Sequence, residues 1–150
     1  MSNALHGTAV EIDGWAVLLT GAAGSGKSDL ALRLLDRGAQ LVGDDYVDLG
    51  HAGEFLLIRP AKELAGKLEI RGIGIVEVAY RAESPLRLIA ELGEDGERHP
   101  TSWPLREKGG WAIPAMRLNA FAASAPIKIE RALKSVVDDG LFPVRLSPSP

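Results

Sequence analysis

Apolar residues fall in short runs broken by glycine and by acid–glycine pairs. Trp15–Thr20 (Trp-Ala-Val-Leu-Leu-Thr) is a continuous apolar run of strand length. Thr8–Ile12 alternates more weakly and also reads as a strand, and Asp13-Gly14 between the two is a hairpin signal. Beyond a glycine-rich stretch, Leu30, Ala31, Leu34 and Leu35 recur at helical spacing, which predicts a helix over residues 28–37 with Gly38 at its C-terminal stop. Gln40–Gly43 is the next predicted strand. Residues 47–49 and 54–58 follow as strands joined by a turn around Gly50 and Gly53; Arg59-Pro60 breaks the pattern, and residues 61–64 form one helical turn. Residues 67–78 hold two strand-like stretches around a Gly-x-Gly bend, with Leu68 and Ile70 facing one way and Glu69 and Arg71 the other. Residues 86–92 are a further strand, 93–104 a polar loop containing Glu97-Arg98-His99-Pro100, and 107–110 a turn. A last helix begins at Ser124 as its cap, takes Pro126 in its first turn, runs to about residue 138 and stops at Gly140. Strands interspersed with helices predict an α/β protein.

Composition narrows the chemistry. The 150 residues fit one domain over 1–146, with the Ser-Pro-rich residues 147–150 expected as a disordered tail. There are no cysteines, which excludes disulfides, thiol catalysis and cysteine-bound zinc, and the three histidines are scattered. A net charge of −3 argues against nucleic acid as a general partner. No apolar run reaches the roughly 18 residues of a membrane span, and no secretion signal opens the chain; the expectation is a soluble cytoplasmic protein with no membrane partner.

The glycine-rich stretch is Gly21-Ala22-Ala23-Gly24-Ser25-Gly26-Lys27-Ser28, the pattern G-x-x-x-x-G-K-S of a phosphate-binding P-loop. Its context suits that chemistry. A strand feeding a glycine loop that opens a helix aims successive backbone N–H groups at one point, and the helix N-terminus adds partial positive charge there. Lys27, an exposed loop charge in this reading, reaches the β- and γ-phosphates, and the Ser28 hydroxyl holds Mg²⁺. Asp44-Asp45 then closes a predicted strand. Beside a P-loop, one carboxylate can orient the metal while the other accepts the proton of an attacking hydroxyl. Glu69 and Arg71 can serve metal and phosphate, or form an ordinary surface pair.

In this order, His6-Gly7, the P-loop, Arg37-Gly38, Asp44-Asp45 and Leu68-Glu69-Ile70-Arg71-Gly72-Ile73-Gly74-Ile75 resemble the C-terminal kinase domain of HPr kinase/phosphorylase, over roughly residues 6–79. The resemblance implies a P-loop kinase domain of the HPr kinase / phosphoenolpyruvate carboxykinase type, a central mixed sheet with flanking helices. It implies a short form without the N-terminal domain, and an ATP- and Mg²⁺-dependent serine kinase for HPr or a related phosphocarrier, with phosphorolytic reversal. It implies that residues 21–28 (Gly21, Ala22, Ala23, Gly24, Ser25, Gly26, Lys27, Ser28) bind ATP, that Ser28 and Glu69 ligate the metal, and that Lys27 stabilises the transferring phosphoryl group. Asp45 is the base, His6 an active-site residue beside loop residues 20–22, and Arg98 a catalytic arginine; Asp44, Arg71 and Arg117 support them. It also implies a homo-oligomer, a hexamer in the family. The family's Ile-Pro-Val-x-Pro-Gly-Arg-Asn loop, associated with phosphorolysis, is here Ile113-Pro114-Ala115-Met116-Arg117-Leu118-Asn119, so the reverse reaction is expected to be the weaker one. A small-metabolite kinase and a non-catalytic nucleotide-binding regulator are the alternatives. A GTPase is disfavoured, since no N-K-x-D motif is present.

Overall fold

A computed structural model describes residues 4–146; the tail expected at 147–150 lies outside them. In chain order the elements are β1 (Ala4–His6), β2 (Thr8–Ile12), β3 (Trp15–Thr20), α1 (Lys27–Asp36), β4 (Gln40–Gly43), β5 (Tyr46–Ala52) and β6 (Phe55–Pro60). A 3-10 turn (Lys62–Leu64) leads to β7 (Lys67–Ile70), β8 (Gly74–Glu77), β9 (Ser84–Leu92), β10 (Leu105–Lys108), β11 (Trp111–Leu118), α2 (Ala125–Asp138) and β12 (Val144–Arg145).

The main sheet is mixed and forked. Its path runs β1-β5-β6-β9-β3-β2-β4, and β11 joins β9 through residues 115–118 while its start pairs with β10 on one edge and β12 on the other. The strand β9 pairs in parallel with β3 along residues 86–91 and with β11 from Ile89 to Leu92, while β6 takes only Ser84 and Pro85. The fork lets the sheet curl. Antiparallel β2 lies between β3 and β4, so β4, β3, β9 and β11 all point their carboxyl ends to one edge. Ligands of α/β proteins bind at such an edge.

Both faces of the central strands are covered, which is why they read as apolar runs rather than as alternation. Val10, Ile12, Val17 and Leu19 face the helices and join Leu30, Ala31, Leu34, Ile129, Leu133 and Val136 in one core cluster. Ala9, Ala16 and Leu18 face the other way, into a cluster completed by strand residues Val47, Leu56, Ile58, Trp111 and Ile113. The helices flank the sheet on this one face and pack against each other, joined by the Arg37–Glu130 ion pair (2.7 Å). The curled outer strands cover the second face. Glu130 raises the Arg37 pKa above its ordinary value, by a hydrogen bond first and by its charge second. Arg87, buried on β9, stacks its guanidinium 3.6 Å from the Phe142 ring and 4.2 Å from that of Trp15, and burial lowers its pKa.

Other local expectations shift. The Asp13-Gly14 hairpin forms with both residues at positive φ (51° and 87°), as a two-residue turn between right-twisted strands requires. Gly50 is inside β5 opposite Leu57, so the turn sits at residues 53–54 alone, and β6 continues through Arg59-Pro60. The 113–119 segment is not a loop but largely the buried strand β11. Parallel pairing with β9 starts only at Ala115, so β9 asks no N–H of Pro114 and the strand tolerates this proline. Ser124 holds the N-cap position of α2 without a side-chain capping bond.

Candidate active site

Residues 21–26 join β3 to α1 at the carboxyl edge. The loop closes with the Ser25 N–H donating to the Ala22 carbonyl (3.0 Å). A Cβ on Gly21 would lie 2.5 Å from Ser25 Oγ and 3.1 Å from the Leu92 carbonyl oxygen, so only glycine fits at this close approach. The Ser25 hydroxyl is buried and has no hydrogen-bond partner among the described residues, a polar group left available inside the loop.

Lys27 is not the exposed loop charge its motif suggests. It opens α1 and is only 9% exposed. Counting the helical period backwards from Leu34, Ala31 and Leu30 places residue 27 on the same buried face. Its ammonium donates to the carbonyls of Gly21 (2.7 Å) and Ala22 (3.1 Å), which holds the charge at the loop.

The acidic pair divides sharply. Asp44 is buried, and three elements grip its carboxylate: Oδ1 accepts from Thr8 Oγ1 and Ser28 Oγ (2.8 Å each), and Oδ2 accepts from the Glu69 N–H (3.0 Å). It thereby ties β2, α1 and β7 together. Asp45 is exposed and sits at φ 70°, a left-handed conformation that aspartate tolerates better than most residues. Its carboxylate lies 3.3 Å from His6 Nε2, and its backbone oxygen accepts from the Gly7 N–H (2.9 Å). A cleft of about 140 Å³ is lined by Ser28, Asp44, Asp45, Leu64, Lys67, Glu69 and Ile75.

Thr8 escapes the motif search, but a signal exists. Period-2 alternation places it on the face of Val10 and Ile12, the face that α1 covers. Thr8→Val keeps the shape and removes one hydrogen bond to a buried carboxylate. It should lower the unfolding free energy by about 1.5–3 kcal/mol, seen as a lower urea midpoint at unchanged slope.

The other expected residues scatter. His6 is on β1 opposite Tyr46, with its ring 5.2 Å from the tyrosine ring. Its polar partner is Asp45, and it reaches the cleft through that residue. Glu69 lines the cleft, but β7 ends at Ile70, which leaves Arg71 exposed in the hairpin turn and outside the cleft lining. Arg98 and Arg117 are also outside it. They line a separate cavity of about 1160 Å³ between residues 95–104, β11 and α2, together with Lys128 and Arg131.

No group of three histidine, cysteine or acidic residues among the described residues is placed to hold a metal alone. The cleft offers a serine hydroxyl and carboxylates. These are the hard oxygen donors that Mg²⁺ takes one or two at a time, while waters and substrate phosphates complete its shell. No helix among the described residues is long and apolar enough to cross a membrane.

The chain is similar to known proteins in sequence and in fold. The family described as HPr Serine kinase C-terminal domain matches residues 1–84, from β1 to the start of β9. A relative from Lactobacillus acidophilus, named HPr kinase/phosphorylase, is 42% identical over 98 residues, covering 60% of this chain and 30% of its own. One of the same name from Latilactobacillus sakei is 33% identical over 145 residues, covering 89% of this chain and 45% of its own. The chain thus spans less than half the length of these two relatives. The solved structure of the Hpr(Ser) kinase/phosphatase from Coxiella burnetii superposes with a TM-score of 0.79 at 28% identity, covering 91% of this chain and 92% of that one.

Proposed function

The chain belongs to the family of the HPr serine kinase C-terminal domain, and from that premise we propose that it is an ATP-dependent kinase for a serine of HPr or a related phosphocarrier. One observation carries the reading. The P-loop serine, a buried aspartate and an exposed aspartate with a histidine beside it meet at one cleft. That division gives one carboxylate to structure and leaves the other free for chemistry. The fold belongs with the phosphoenolpyruvate carboxykinase type of P-loop protein rather than the doubly wound nucleotide kinases. Antiparallel β2 beside the P-loop strand supports this.

The backbone N–H groups of residues 21–28 bind the nucleotide phosphates, with Ser25 Oγ available as a further donor. Lys27 turns its ammonium from the Gly21 and Ala22 carbonyls to the transferring phosphoryl group. The acceptor serine oxygen bonds to the γ-phosphorus, and the bond from that phosphorus to the β–γ bridging oxygen breaks, releasing ADP. Asp45 takes the serine proton, held by His6. Mg²⁺, with Ser28 and Glu69 as its protein ligands, neutralises phosphate charge when bound. Asp44 fixes the Ser28 hydroxyl and the β7 backbone. Arg98 and Arg117 belong to the reading as anion contacts outside the cleft. A cytoplasmic location and a homo-oligomer complete it.

Incubation with Mg-ATP and purified HPr tests the proposal. One phosphate on an HPr serine is the expected product, and nucleotide bound but never transferred would overturn it. Phosphorolysis is expected to be slow. It needs inorganic phosphate in line behind the phosphoserine, and Arg117 lies in a cavity that shares no lining residue with the cleft. A misplaced reacting group costs about 10²-fold. Pyrophosphate release from phospho-HPr and millimolar phosphate should lag the forward reaction by that order; equal rates would show that the displaced arginine is irrelevant.

A further inference from the structure

The nucleotide site proposed above covers only the phosphate end of ATP, and the base has no assigned place. At the carboxyl edge the P-loop lies between two features: β2 and β4 bring the acidic pair to one side of it, and β9 and β11 bring the segment 119–124 to the other. A triphosphate with its γ end at Asp45 therefore has its nucleoside end toward 119–124.

That segment is held firmly. Arg33, on α1, donates from Nη2 to the Ala120 carbonyl and from Nη1 to the Ala122 carbonyl (3.3 Å). Asn119 Oδ1 accepts from the Phe121 N–H (2.9 Å), and Asp95 Oδ1 accepts from the Asn119 N–H (3.0 Å). The anchored turn carries Phe121, which is 67% exposed. Its ring edge lies against the P-loop: a Cβ built on Gly26 would be 3.2 Å from Cε1 and 3.4 Å from Cζ. Gly26 is the N-cap of α1 at φ 96°, so the aromatic ring rests where the loop becomes helix. A large apolar ring left in water on a rigid support, beside a phosphate loop, matches a stacking platform. Every base has a π face, and an aromatic ring binds it without reading its edge.

We propose that Phe121 is the platform on which the base of the bound nucleotide stacks. The inference rests on the proposed ATP-binding function and adds the nucleoside subsite to it. Substituting a base-stacking aromatic by alanine typically weakens binding by about tenfold or more.

The test compares a ligand with a base to one without. Calorimetric affinities for ADP and for tripolyphosphate are measured on the wild-type chain and on Phe121→Ala and Phe121→Leu. Phe121 is outside both core clusters, so the variants are expected to fold, and a melting curve on each checks that they do. ADP affinity is expected to fall about tenfold in the alanine variant and to stay reduced in the leucine variant, which keeps apolar bulk without a π face. Tripolyphosphate affinity is expected to remain unchanged. Unchanged ADP affinity in Phe121→Ala overturns the proposal, as does an equal loss for both ligands, which would make Phe121 a prop for the P-loop. Full recovery in Phe121→Leu overturns stacking in favour of apolar contact. If the wild-type chain binds neither ligand, the ATP-binding function itself fails and the subsite with it, an outcome separate from the others.

Discussion

Replacing Lys27 by alanine is expected to abolish phosphoryl transfer while leaving the fold in place. The side chain lies on the buried face of α1 with Leu30, Ala31 and Leu34, but its bonds go to the Gly21 and Ala22 carbonyls rather than to another element. Ala22 is exposed and Gly21 partly so, and water can replace the ammonium at both. The stability loss should therefore stay within about 3 kcal/mol, the scale of a hydrogen bond to a charged group. Transfer suffers far more. In the proposed mechanism the lysine is a preplaced positive charge at the point where negative charge shifts during transfer, and losing one such group costs about 10²–10³-fold or more. Circular-dichroism melting and a transfer assay on the same sample separate the two effects. Turnover near the wild-type level in a folded variant would remove Lys27 from the mechanism.

The second large effect is expected at Asp45. Asparagine keeps the shape and tolerates the positive φ of this position, so Asp45→Asn should leave the backbone and most of the nucleotide affinity intact. Loss of the base should reduce transfer by about 10²-fold or more. Asp44→Asn should behave differently. Its carboxylate accepts three hydrogen bonds, and an amide cannot accept all of them through the same two atoms. The expected signature is a loss of about 1–3 kcal/mol in unfolding free energy together with weaker nucleotide binding. If Asp44→Asn kept full stability yet lost more transfer than Asp45→Asn, the two roles would be reversed.

Much of this arrangement was legible from local signals. The β2–β3 hairpin, a glycine-rich loop between a strand and a helix, and the acid pair closing β4 are each short-range patterns, and the structure contains them at the expected residues. The matched family region, residues 1–84, is also where those motifs cluster. What local patterns could not supply was long-range pairing. β11 begins with a tryptophan and a proline and becomes a strand because β9 and β10 flank it. β1 is a three-residue strand that exists through its pairing with β5, and that pairing, rather than the neighbouring hairpin, brings His6 to Asp45. The division between Asp44 and Asp45 was invisible to motif reading because it depends on Thr8, which lies outside every motif, and on the backbone N–H of Glu69 rather than on its side chain. Arg98 and Arg117 were assigned by resemblance, and the structure places them at a second cavity.

The central claim is that phosphate leaves ATP for a protein serine at the Asp45 cleft, and the ratio of products tests it most directly. Single-turnover reactions of the wild-type chain and Asp45→Asn with γ-labelled ATP and HPr are quenched in time, and ADP and phosphoserine on HPr are counted in the same samples. The account predicts one phosphoserine for each ADP in the wild type, with both products falling together by about 10²-fold in the variant. ADP formed with its phosphate released free, or phosphoserine formed as fast by Asp45→Asn as by the wild type, would contradict it.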